Sequence, residues 1–236
     1  MRALSLAYWT LIAVTCPVFF VGALVVFALT APFDRRRVAL HLYSSAWASF
    51  YVRVNPLWSL RVEGRERLPR HGAAVLVANH ASLIDILVLF DLFRPYKWVS
   101  KASNFRLPFV GWNMRLNDYV PLRRGDRDSV LEMLAHCGRH LENGSPILMF
   151  PEGTRSADGA LKAFKDGAFE LAVTHGVPVI PIAVHGTAAA LPKHGLVLEQ
   201  HVDARIEVLE PIAPGSDPAA LRDQARERIA RALAAD

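Results

Sequence analysis

The sequence predicts an α/β protein, with a mostly parallel sheet flanked by helices and an N-terminal membrane-embedded helical module in front of it. Three observations carry this expectation. Short apolar, β-branched runs at 73–78, 146–150 and 177–184 alternate with stretches of helical period, the pattern of successive βα units. Two polar segments rich in chemically active side chains, 79–85 and 152–155, directly follow two of those runs. An open parallel sheet presents its binding groups at that point, beyond the carboxyl ends of its strands. Finally, no Asp, Glu, Lys or Arg occurs for 31 residues between Arg2 and Asp34.

That uncharged stretch exceeds the ~20 residues that cross a bilayer as a helix. It also exceeds the ~7–15 apolar residues of a cleaved signal peptide. A signal peptide stays open as the alternative because Ala28-Leu29-Thr30-Ala31 loosely resembles a cleavage site. Pro17 can kink the helix, so a full crossing and a bent, half-immersed element are both open. The basic cluster Arg35-Arg36-Arg37 follows. It should stay on the cytoplasmic side, which puts the bulk of the protein at the cytoplasmic face of a membrane, the inner one in a bacterium. A second helix is expected over 38–54, where Trp47 and Tyr51, together with Trp58, suit the membrane–water interface. Asn55-Pro56 breaks it. The expected division is a two-helix anchoring module, 1–55, and an α/β domain, 56–236.

Within the second part, strands are expected at 57–63 and up to Ala78, then a helix over 82–93 with Ser82 as N-cap. A strand near 97–100 comes next. Asp128 or Ser129 opens a helix on which Val130, Leu131, Leu134 and Leu141 keep helical spacing, and Gly144 ends it. The strand at 147–150 leads to a helix over 166–175. The continuous apolar run 177–184 suits a strand buried on both faces. Residues 205–209 alternate polar and apolar, as an edge strand does. Ser216-Asp217-Pro218 caps a last helix with Leu221, Ala225, Ile229 and Leu233 on one stripe.

Composition narrows the function. The two cysteines, Cys16 and Cys137, are too few and too far apart for a disulfide framework or a zinc site, and a reducing compartment is expected. From Arg35 to Arg127 there are 16 Lys and Arg against 6 Asp and Glu, whereas the rest of the chain has 11 against 16. Beside an apolar anchor, a basic half points to anionic lipid headgroups rather than to nucleic acid.

Two segments carry the chemistry. In Asn79-His80-Ala81-Ser82-Leu83-Ile84-Asp85, a loop can fold back so that Asp85 accepts the His80 Nδ1–H. Nε2 is then free to take a proton from a hydroxyl. A His-x4-Asp spacing alone carries little weight, and the alternative is a helix cap with a carboxylate serving the helix dipole. No Gly-x-Ser-x-Gly elbow is present and neither cysteine has an activating neighbourhood, so a covalent acyl-enzyme is not expected. In Phe150-Pro151-Glu152-Gly153-Thr154-Arg155, backbone N–H groups, a hydroxyl and a guanidinium suit a phosphate. Glu152 sits oddly there unless it pairs with a cation or a substrate hydroxyl. Arg123, after Tyr119-Val120-Pro121-Leu122, is a second candidate cation, with Arg124 and Lys101 behind it.

With these residues in view, the chain resembles the glycerolipid acyltransferase family, specifically the 1-acyl-sn-glycerol-3-phosphate (lysophosphatidate) acyltransferases. Asn79-His80 to Asp85 resembles the family's NHxxxxD motif, and 116–123 a second motif ending in a substrate-binding arginine, Arg123. Phe150 to Ser156 resembles FPEGTRS, and Val177-Pro178-Val179-Ile180-Pro181 a hydrophobic VPxxP segment. One departure is Asn117, where the second motif usually opens on glycine. The resemblance implies that His80 and Asp85 are catalytic. It further implies that Arg123, Glu152, Gly153, Thr154, Arg155 and Lys101 bind substrate. The substrates it implies are a lysophosphatidate in the membrane and an acyl-CoA or acyl carrier protein as donor, with no metal or other cofactor and no nucleic acid. Other lysophospholipid or lyso-aminolipid acceptors stay open. A metallohydrolase built on His80 and Asp85 lacks a convincing third ligand, since His71, His136, His140 and His185 show no ligand pattern with them.

Overall fold

The computed structural model describes residues 2–156, 159–188 and 201–235. Two helices come first, α1 (Arg2–Thr30) and α2 (Val38–Val54). Then follow β1 (Trp58–Glu63), β2 (Val75–Ala78), α3 (Ile84–Phe90), β3 (Lys97–Lys101), α4 (Val110–Leu116), β4 (Val120–Leu122) and α5 (Arg127–Glu142). The rest is β5 (Ile147–Met149), α6 (Gly167–Thr174), β6 (Val179–His185), β7 (Val202–Val208) and α7 (Pro218–Ala234). The strands form one sheet in the order β1-β7-β6-β2-β5-β3-β4. Every neighbouring pair is parallel except β6 and β7. Strands β6, β2, β5, β3 and β4 therefore end on one common edge.

The pleat sorts the core into two layers. Leu76, Ala78, Leu148, Ile180 and Ile182 face α1 to α4, sharing one apolar cluster with Tyr8, Trp47, Leu89 and Met114. Val75, Val77, Ile147, Met149 and Val179 face the other way, onto Cys137, Phe169, Ala225 and Ile229 of α5, α6 and α7. Helices thus cover both faces, which is why the central strands read as unbroken apolar runs.

Strand β7 is a correction. It lies between β1 and β6, not at an edge. Its alternation reports one-sided burial. Val202, Ala204, Ile206 and Val208 enter the core, while Arg205 and Glu207 meet each other across 3.4 Å on the open face. Helix α4 was not foreseen; it is only seven residues long and directly follows Pro108. The bend before it is a γ-turn at Phe109 (φ 60°, ψ −63°), closed by the Val110 N–H on the Pro108 carbonyl at 2.6 Å. Gly111 is required for close approach, since a Cβ there would lie 2.5 Å from the Asn104 carbonyl oxygen.

Trp47, Tyr51 and Trp58 do not sit at an interface. They are buried in the protein: Trp47 and Tyr51 fasten α2 to α1, with Phe19 stacked on Trp47 at 5.5 Å, and Trp58 of β1 meets Tyr8 of α1 edge-on. The Tyr8 hydroxyl also donates to the Tyr51 carbonyl at 2.9 Å. The outward apolar groups belong to α1 itself. Leu6, Val14, Val18, Val21, Val25 and Leu29 are exposed, and Leu4–Thr30 has a mean hydropathy of 2.6. By length and composition this helix is able to cross a membrane. It runs unbroken through Pro17 for about 43 Å at 1.5 Å per residue, against a hydrocarbon thickness of about 30 Å. Protein expressed with this helix is expected to stay with membranes through an alkaline carbonate wash and to need detergent for release. Release by the wash alone contradicts a lipid-embedded α1.

His41 of α2 makes this layer sensitive to acid. Its Nδ1 lies 2.7 Å from the Tyr119 hydroxyl, and its ring meets Tyr96 edge-on at 4.4 Å. Burial, with Lys97 nearby, pushes its pKa down to about 3. The unfolded imidazole takes up a proton near pH 6.5, and the folded one does not until far lower. The unfolded state therefore binds more protons over that interval, and stability falls as pH drops from about 6.5 toward 3. Thermal melts in detergent should show midpoints declining through that window. His41→Gln, which cannot titrate, should decline less steeply, and an unchanged slope contradicts the assignment.

Candidate active site

At the end of β2, Asn79 pins the strand to its neighbour. Its side-chain amide donates to the Val184 carbonyl at 2.9 Å and accepts from the Val184 N–H at 2.8 Å. The chain then turns through His80 to α3, and the turn is organised around Asp85. The fully buried carboxylate takes the His80 Nδ1–H on Oδ2 at 2.8 Å. The same oxygen accepts the backbone N–H groups of Ala81 at 2.7 Å and Ser82 at 2.8 Å. Its other oxygen accepts the Thr187 hydroxyl, just beyond β6. Four donors on one buried anion satisfy its hydrogen-bonding capacity, the condition under which an ionised carboxylate is tolerated in a core.

This arrangement corrects the expected N-cap. Leu83, not Ser82, occupies the position before α3, and the loop N–H groups are held by Asp85. The Ser82 hydroxyl makes only a 3.3 Å contact with the Ile84 N–H, inside the turn and away from the cavity described below.

The loop after β5 packs against this turn. Phe150 stacks on the His80 imidazole, with ring centroids 4.0 Å apart and planes 13° from parallel, and Trp98 of β3 meets Phe150 edge-on. Glu152 is buried and holds the two loops together. One oxygen accepts the His80 N–H at 2.8 Å, the other the Lys162 N–H at 3.1 Å. The Ser156 N–H donates to the His80 carbonyl at 2.8 Å. Gly153 turns the loop with φ +72°, and a Cβ there would meet Lys165 Cε at 3.0 Å.

His80, Gly153, Thr154 and Arg155 line a cavity of about 490 Å³ at the carboxyl edge of the sheet. Lys101, Arg124 and Lys165 add three further cations, and no carboxylate lines it among the described residues. Leu83, Ile86, Trp98, Val130, Met133 and Phe150 give the wall apolar surface, and Ser100, Ser103 and Asn104 add neutral polar groups. A dianion and an acyl chain both find complementary surface here. Because Nδ1–H is held by Asp85, Nε2 is the nitrogen left to accept a proton from a group in the cavity.

The expected site residues divide. The structure brings His80, Asp85, Lys101, Gly153, Thr154 and Arg155 together. Glu152 joins them as the brace between the two loops and does not line the cavity. Arg123 is also not a lining residue. Its guanidinium points to solvent and pairs with Asp126 at 2.8 Å, and the arginine that reaches the cavity from this turn is Arg124. The departure at Asn117 has a simple outcome. Its backbone is right-handed (φ −75°, ψ −7°), so no glycine is needed, and the left-handed residue is Asp118 at φ +56°. The Asn117 side chain instead donates to Ser44 of α2 at 3.1 Å.

Thr187 and Lys165 were missed. Thr187 lies 102 residues from its partner Asp85, and no spacing rule links them. Lys165 is one lysine among several until Gly153 brings the loop beside it.

With this geometry in place, the chain can be compared with known proteins. The family model described as Acyltransferase matches residues 59–185, more than half of the chain. A 1-acyl-sn-glycerol-3-phosphate acyltransferase of Chlamydomonas reinhardtii is 38% identical, over 98% of this chain and 69% of that relative. The enzyme of the same name from Salmonella typhimurium is 30% identical over 89% and 82%. The crystal structure of the 1-acyl-sn-glycerophosphate acyltransferase PlsC from Thermotoga maritima superposes with a TM-score of 0.79 at 28% identity, covering 98% of this chain and 93% of that one. The paired loops at the sheet's carboxyl edge, the helix-covered sheet and these likenesses agree: this chain is an enzyme of the acyltransferase family.

Proposed function

We propose that the enzyme moves a fatty acyl group from the thioester of acyl-CoA or acyl carrier protein to the free hydroxyl of a 1-acyl-glycerol-3-phosphate, giving phosphatidic acid. The observation that carries this reading is the His80–Asp85 pair opening onto a cavity lined by lysine and arginine side chains as well as apolar ones. The names of the relatives support the acceptor.

In this reading the acceptor's phosphate rests against Gly153, Thr154 and Arg155, with Arg124, Lys101 and Lys165 supplying further positive charge. His80 Nε2 takes the proton of the acceptor hydroxyl as its oxygen bonds to the thioester carbonyl carbon. The tetrahedral intermediate collapses, the carbon–sulfur bond breaks, and the imidazolium returns the proton to the departing thiolate. Asp85 fixes the tautomer and stabilises the imidazolium. No covalent enzyme intermediate is required. Glu152 acts as a positioning residue through the His80 backbone.

The anchor has a place in the same scheme. Phe20 of α1 packs on Phe109 and Trp112, at the start of α4. Gly111 of α4 abuts the turn Ala102–Arg106, whose Ser103 and Asn104 line the cavity. A membrane helix so connected holds the cavity beside the bilayer that contains the acceptor, at its cytoplasmic face in this proposal.

His80→Ala should nearly abolish thiol release from the donor in the presence of acceptor. Asp85→Asn should cost about 10²–10⁴-fold, because the imidazole stays near the hydroxyl with its tautomer no longer enforced. More than a tenth of normal turnover in His80→Ala contradicts the base assignment. Arg155→Lys keeps the charge but loses the planar fork. Steady-state kinetics should show poorer acceptor use with little change in donor KM. Equal weakening toward both substrates would instead put Arg155 on the donor's phosphates.

A further inference from the structure

At the edge of the sheet opposite the cavity, a second cluster of potential ligands is already assembled. Asp118 is the left-handed residue between α4 and β4. His136 and His140 stand four residues apart in the last half of α5, hence on one face of that helix. Their rings stack with centroids 4.7 Å apart. His136 Nε2 lies 3.2 Å from one Asp118 carboxylate oxygen, and His140 Nε2 lies 3.6 Å from the other. All three potential donor atoms fall within 4.8 Å of one another.

The two imidazole–carboxylate distances are close to the ligand separation around a bound metal. Two ligands on a tetrahedral ion with bonds of about 2.0–2.1 Å lie roughly 3.3 Å apart. Two imidazoles and a carboxylate make a donor set for a borderline first-row dication and not for calcium or magnesium, which take oxygen ligands. His140 is buried, and Asp118 and His136 reach solvent, so one side stays open for water as a fourth ligand. We infer that Asp118, His136 and His140 form a binding site for one divalent transition metal, for which Zn²⁺ is the natural probe.

The site is built from two elements, the lead-in to β4 and the last turns of α5, that already meet through the His140 contact with the Asp118 carbonyl. An ion there would tie the lead-in to β4 to the last turns of α5. It would lie at the amino edge of the sheet, beside the start of β3, whereas His80 sits beyond the carboxyl ends. Its effect is therefore on stability and not on acyl transfer. Two features set the affinity. The His140 Nε2 is 3.0 Å from the Asp118 carbonyl, a bond that a metal ion would replace. The Lys97 ammonium, bound to the Asn117 carbonyl beside Asp118, opposes a dication. That balance fits weaker binding than that of closed structural zinc sites.

The test uses full-length protein in detergent, made without a polyhistidine tag and stripped with a chelator that is then removed. Titration with Zn²⁺ by calorimetry should show one saturable equivalent, and the thermal midpoint should rise with free Zn²⁺ as mass action requires. Co²⁺ in its place should give visible d–d absorption that Zn²⁺ displaces. Asp118→Asn keeps a residue tolerant of the left-handed backbone, and His136→Gln alters a partly exposed position. Each should weaken Zn²⁺ binding by about tenfold or more, and should leave acyl transfer at the wild-type rate. The two changes lie on different elements, so the folded member of the pair suffices if the other fails. Absence of saturable binding overturns the inference, as does binding that survives unchanged in a folded variant.

Discussion

The buried carboxylate of Asp85 is the constraint around which the site is organised. An unpaired anion in that position would be severely destabilising, so the surrounding chain must supply donors. It does so from three places, the His80–Ser82 loop, the imidazole itself and the hydroxyl of Thr187 beyond β6. Satisfying Asp85 therefore draws two strand ends together and at the same moment fixes which nitrogen of His80 is left for chemistry. Glu152 repeats the device one loop away, holding the His80 backbone from the β5 side. Structure and proposed catalysis depend on the same hydrogen bonds.

The sheet explains why these groups can meet at all. Five parallel strands end on one edge, so loops far apart in sequence converge there without long connections. On the face toward α1, the apolar layer continues from the sheet through α2 and α3 to a helix whose outer side is apolar as well. The cavity joins these two characters, with cations from Lys101, Arg124, Arg155 and Lys165 and aliphatic and aromatic groups from β3, α3, α5 and the loop after β5. A lipid with an anionic head and a hydrocarbon tail matches that division, which is the physical basis of the proposed acceptor.

Much of this was legible in the sequence, for identifiable reasons. Central strands buried on both faces leave unbroken β-branched runs, and 177–184 and 146–150 were readable as such. The His80 and Asp85 pair and the Gly153 to Arg155 turn are each local in sequence, so their position after apolar strands, together with the resemblance to the acyltransferase motifs, marked them as candidates. What escaped depends on the third dimension. Strand β7 alternates because one face of the sheet is uncovered there, and alternation by itself does not separate that case from an edge. Arg123 and Arg124 are neighbours in sequence, and only the turn decides that the first pairs with Asp126 and the second reaches the cavity. Glu152 looked misplaced in an anion site. Its carboxylate is taken up by two backbone N–H groups, a partnership that composition cannot reveal.

The central claim is that the Asp85-held His80 serves as a base for direct transfer, with the acyl group passing from sulfur to the lipid hydroxyl in one encounter. Rapid mixing of the enzyme with a thioester donor alone, followed by thiol detection and intact-protein mass measurement, tests it most directly. The account predicts no burst of thiol and no acyl adduct until a lyso-acceptor is added, after which thiol and diacyl product appear together. A burst stoichiometric with enzyme, accompanied by a protein mass increased by one acyl group, would contradict it.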